Sequence, residues 1–85
     1  MDPETARVVT RLLELVLRGE LEPAEALAQW PRTTDAEPVL GDIWHDLWHF
    51  AADDDIRQKD KEYADYQIGL LRKGMTEIKK TYGLK

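Results

Sequence analysis

The stretch DIWHDLWHFAADDD, Asp42 to Asp55, places His45 and His49 four residues apart, with Asp42, Asp46 and Asp53 around them and Trp44 and Trp48 in the same run. On a helix, side chains at i and i+4 point the same way, so two imidazoles at this spacing are able to chelate one divalent ion such as zinc. HDLWH also keeps an acid after its first histidine. A zinc site needs a third protein ligand, and the chain has no other histidine and no cysteine. A carboxylate from another element would have to complete it, and Asp in place of Glu shortens any general base by one methylene. The metal expectation is therefore confined to His45 and His49, and metal-dependent hydrolysis is disfavoured. The expectation for function is a protein that is not an enzyme and needs no cofactor.

Two further readings compete for the same residues. With Ile43 at zero and about 100° per residue, Leu47, Leu40, Ala51, Trp44 and Phe50 fall between about −20° and about 100°, which defines a core face. His45, His49, Asp42, Asp53 and Asp46 fall between about 200° and about 300°, a stripe opposite the core. One reading is a solvated helix face whose aspartates favour the imidazolium forms. The other is a partner surface made of Asp42, Asp46, His49, Asp53, Asp54 and Asp55. On it Trp48, at about 140° on the border of core and stripe, would serve as an aromatic anchor.

The elements that must position this stripe are helical. Asp2 as cap, Pro3 at the first helical position and Glu4 at the positive dipole end open a first helix over 3–18, closed by Gly19. Its apolar stripe is Ala6, Val9, Leu13, Val16 and Leu17. Pro23 opens a second helix that runs through Trp30 until Pro31 stops it, with Leu21 and Ala26 or Leu27 as a hydrophobic staple. Pro38 begins the third helix. Its end at Asp53–Asp55 sets three acids against the negative end of its dipole, an unfavourable placement that points to a use. After a charged connection, IRQKDKEY, Asp60 caps a last helix lined by Tyr63, Tyr66, Gln67, Leu70, Leu71, Met75, Ile78 and Tyr82, and closed by Gly83. Gly69 and Gly74 within it predict close helix packing. Trp30, Trp44 and Tyr63 belong to apolar faces and are expected in the core, whereas LRKGMTEIKK reads as the solvated side of an amphipathic helix.

The expected fold is all-α, a compact four-helix bundle with antiparallel neighbours in one domain over 1–85. At 85 residues a single core is marginal, and without cysteine no disulfide or thiolate zinc site supplements it. No apolar run approaches the ~20 residues of a membrane span, and the first residues lack the pattern of a secretory signal, so the expected location is the cytoplasm. The net charge of −5 is unevenly spread. Residues 1–55 hold thirteen Asp and Glu against four Arg, a balance of −9, whereas residues 56–85 hold eight Lys and Arg against four acids, a balance of +4. An acidic body repels phosphate backbones and attracts a basic protein.

LELVLRGELEPAEALAQW, a helix followed by Gly-acid-Leu and a second helix opening Pro-Ala-Glu-Ala, together with DIWHDLWHFAADDDIR, resembles the small helical immunity proteins of the colicin D type. The pattern covers roughly residues 10 to 60. The resemblance implies an acidic four-helix bundle that binds a basic RNase- or tRNase-type toxin and fills its RNA-binding or catalytic cleft with carboxylates. It gives that role to Asp42, Asp46, Asp53, Asp54 and Asp55, with Glu37 on the rim. The HDLWH pair and the tryptophans of the third helix depart from the family's pattern. A homo-oligomerising scaffold is the remaining alternative, and the expected state is a monomer or weak homodimer.

Overall fold

The computed structural model describes residues 3–31 and 38–83. Within them, α1 (Pro3–Leu17) buries Ala6, Val9, Leu12, Leu13 and Val16, the side chains that recur on one face of a 3.6-residue helix. Thr10 lies in the same buried stripe, and its hydroxyl donates to the Ala6 carbonyl at 2.8 Å, so no polar atom is left bare there. The helix ends where Gly19 takes φ +74°, which lets the Gly19 and Glu20 amides reach back to the Val16 and Leu15 carbonyls at 3.0 and 2.9 Å. That tight reversal leads into α2 (Pro23–Ala28), whose Ala26 is buried. The sequence predicts this helix through Trp30, but it stops two residues earlier. Trp30 remains in the core as the first step of the connection.

The other elements are α3 (Pro38–Ala52), α4 (Asp54–Lys59) and α5 (Lys61–Tyr82). Among the described residues there are thus five helices and no strand, so the all-α expectation holds while the count of four does not. The extra helix is α4, formed from the acidic run and the charged connection. None of the described helices is long and apolar enough to cross a membrane. The cap foreseen at Asp2 and the rim residue Glu37 lie outside the described residues.

One cluster gathers the core from four helices: the α1 stripe, Ala26 with Trp30, then Leu40, Ile43 and Leu47 of α3, and Leu71 and Ile78 of α5. Each fully buried side chain of this kind contributes ~1.5–3 kcal/mol relative to exposure. With 22 residues, α5 is about 33 Å long, and it packs on α1, α3 and α4. Asp60 caps it by accepting from the Tyr63 amide at 3.1 Å, and Gly83 closes it at φ +68°.

α5 approaches α3 closely at Gly74, where an added Cβ would stand 2.8 Å from Ile43 Cγ1. Gly69 faces open space, so the sequence expectation of close packing holds at one of the two glycines only. The two sites therefore respond to alanine with opposite sign. Gly69→Ala is expected to stabilise the fold by up to ~1 kcal/mol through helix propensity. Gly74→Ala gains the same propensity but presses on buried Ile43, and is expected to lose ~1–2 kcal/mol net. Urea unfolding midpoints of the two variants read both signs.

Candidate partner-binding face

The helical wheel of α3 sorts its residues as the sequence does. Leu40, Ile43 and Leu47 are buried, Trp44 and Phe50 pack against the core, and Asp42, His45 and His49 are exposed. Trp48 is 47 % exposed, so it belongs to the surface. Each imidazole stands edge-on to the indole before it, with centroids 5.3 Å apart for Trp44 and His45 and 5.2 Å for Trp48 and His49. Among the described residues no third His, Cys, Asp or Glu is grouped with the pair in a way that would hold an ion.

Two open hollows line the seam between α3 and α5. The first, about 250 Å³, has Ile43 and Gly74 at its base and Asp42, Asp46, Lys73 and Glu77 around it. The second, about 290 Å³, is formed by Asp46, His49, Tyr63, Tyr66, Gln67 and Leu70. Asp46 and Leu70 belong to both. The absent Cβ of Gly74 lets α5 lie close to α3, and the carboxylates of α3 consequently face a wall of α5 as well as water.

Asp42 and Asp46 make no ion pair with any described residue. Partial burial pushes the Asp46 carboxyl above the usual carboxylate range. The like charge of Asp42 adds to this, and His49 and His45 offset part of it. The charge on Asp46 is therefore held at some expense to the fold.

The acidic run behaves differently from the sequence expectation. Asp53 is the turn between α3 and α4, and Asp54 and Asp55 occupy the first turn of α4. There they meet the positive end of a dipole, so the repulsion expected at the end of α3 is reversed for both. Asp53 is committed internally, because its Oδ2 accepts from the Tyr63 hydroxyl at 2.8 Å and from Gln67 Nε2 at 3.1 Å. Gln67, which is buried, turns its Oε1 to Arg57 Nη1 at 2.8 Å. Arg57 also donates to the Phe50 carbonyl, lies 3.7 Å from the Phe50 ring centroid, and reaches Asp54 at 3.4 Å. Asp54 further accepts from Gln58 Nε2 at 2.8 Å. Asp53 and Asp54 thus carry side-chain hydrogen bonds to their own chain, Asp54 while still exposed, whereas Asp42, Asp46, Trp48, His49 and Asp55 have no such bond among the described residues and reach the surface.

Sequence reading missed Arg57 and the exposure of Tyr66, which is 61 % open to solvent. The signal for the network was Gln67, a polar residue inside an apolar stripe. A buried amide of that kind needs partners.

Comparison with protein-family models, with curated proteins and with solved structures finds no match for this chain. The resemblance to immunity proteins rests on the quoted residues alone.

The two aspartates on either side of this division should respond oppositely. Asp53→Ala strips the Tyr63 hydroxyl and the Gln67 amide of their acceptor and is expected to lower stability by ~1–3 kcal/mol. Asp46→Asn removes a strained charge and is expected to fall within about 0.5 kcal/mol of the parent, on the stabilising side. Denaturant unfolding at neutral pH measures both.

Hydrogen bonding to Asp53, followed by burial, raises the Tyr63 hydroxyl above its ordinary value of 10.0. Because the folded value lies above the unfolded one, this contribution to stability is complete below pH ~10 and is lost as pH rises through the folded value. The loss of stability across that alkaline range should be smaller in Tyr63→Phe than in the parent chain. Equal alkaline losses would rule out a stabilising role for the Tyr63 proton.

Proposed function

We propose that this chain is a non-enzymatic binding module for a basic protein, and that its partner is a nuclease toxin of the RNase or tRNase type which it neutralises. The observation that carries the reading is the pair of unsatisfied carboxylates on α3: Asp42 and Asp46 face the α3–α5 seam without an ion pair among the described residues. An acid left partly desolvated and unpaired, as Asp46 is, is unfavourable for folding alone, and it becomes favourable when a cation of another molecule reaches it. Exposed Trp48 lies one residue before His49 on the same helix and supplies apolar area of the kind that anchors interfaces. The balance of −9 over residues 1–55 adds long-range attraction for a basic cleft. The toxin form of the partner is what the resemblance to colicin D-type immunity proteins implies. In that form the carboxylates occupy the places of RNA phosphates.

The test is co-expression with the product of the adjacent gene. The expected result is rescue from its toxicity and a stoichiometric complex whose affinity falls steeply as ionic strength rises from ~0.05 to ~0.5 M. Asp42→Lys with Asp46→Lys is expected to weaken the complex by at least ~100-fold while the helical content is kept, since reversed charges in an interface cost several kcal/mol. Asp53 is unsuitable for that experiment because its reversal would disturb the fold itself. A neighbour that is harmless and does not bind would sink the toxin reading, and an affinity indifferent to both reversals would remove the acidic face from it.

A further inference from the structure

We infer that the hollow between Asp46 and Tyr66 is a receptor for one arginine side chain of the partner, in preference to lysine. The inference rests on the partner-binding reading above and names the group that enters the seam.

Three features of the hollow match a guanidinium. Tyr66 offers a ring face that is largely open, offset from Tyr63 at 6.3 Å between centroids with 30° between the planes. Across from it on α3 stands the Asp46 carboxylate, which has no ion pair with any described residue. Leu70, which lines the same hollow, gives an apolar wall along which a methylene stem can lie. A planar, weakly hydrated cation is able to stack on the tyrosine and turn its edge to the carboxylate at once. A compact, strongly hydrated ammonium gains from the carboxylate alone.

The polar groups deeper in the hollow do not compete for the guest. The Gln67 amide is fully occupied by Arg57, Asp53 and the Tyr63 hydroxyl, and the Tyr63 hydroxyl already donates to Asp53. This leaves Asp46 as the carboxylate of the hollow that is free to accept, with the exposed imidazole of His49 beside it. The chain's own Arg57 uses the same chemistry nearby: its guanidinium lies over the Phe50 ring while its edge donates to oxygen atoms.

Hexa-arginine and hexa-lysine peptides, equal in charge, separate this inference from the broader one. Titration at low ionic strength is expected to give about tenfold tighter binding for hexa-arginine. Tyr66→Leu is expected to bring the two peptides within about twofold of each other, because it removes the stacking face and leaves the carboxylate. As Tyr66 is mostly exposed, circular dichroism should find the variant folded. Backbone amide shifts of Asp46, Tyr66 and Leu70 should move with hexa-arginine and be lost in Tyr66→Leu. Equal affinity for both peptides, or an arginine preference that survives Tyr66→Leu, overturns the inference and leaves the acidic-face reading standing. Absence of binding by either peptide overturns both.

Discussion

The guanidinium of Arg57 joins three helices at a place where apolar burial does not. No residue of α4 is buried, so nothing in the hydrophobic core holds that helix against the rest. Its attachment is the Arg57 side chain, only 10 % exposed, which covers the Phe50 ring, satisfies the Phe50 carbonyl near the end of α3, and grips the Gln67 amide of α5. A cation at that carbonyl also meets the negative end of the α3 dipole. A buried guanidinium is stable only when its donors are matched, and here an aromatic face, a carbonyl and an amide oxygen share that work. The chain's reversal from α3 into α5 is fixed by this contact, and with it the side of α5 that borders the acidic stripe.

The aspartates around that junction divide into two groups by their surroundings. Asp53 and Asp54 have donors on their own chain and serve the fold. Asp42 and Asp46, about two to three turns earlier, have none among the described residues, and Asp46, beside the wall that the close approach at Gly74 brings up, loses part of its water. Sequences usually agree with their structure at every level. A local disagreement without internal compensation is where function is expected.

Much of the fold was legible in the sequence, because the information for α1, α3 and α5 is local. Prolines and Asp60 mark beginnings, Gly19 and Gly83 mark ends, and the 3.6-residue pattern of α3 assigns its faces correctly. What could not be read depends on neighbours distant in the chain. Gly69 and Gly74 look alike in sequence, and Ile43 of another helix distinguishes them. Asp53 reads as one of three equal acids until Tyr63 and Gln67, 10 and 14 residues away, come to its side. The sign of the dipole effect on Asp54 and Asp55 turned on whether the charged connection would coil. It does coil, and Arg57 on it docks against Phe50 and Gln67.

The position of α5 in the chain also bears on when the protein acquires a shape. Leu71 and Ile78, which close the interior for α1 and α3, are among the last core residues to be synthesised. While the ribosome is still making the first sixty residues, the stripes of α1 and α3 have no lid, and the seam with its carboxylates does not exist. Closure of this core therefore waits for α5 and then joins segments far apart in sequence. In a nascent chain Asp42 and Asp46 therefore stand on a helix with one side unpartnered until α5 has been made.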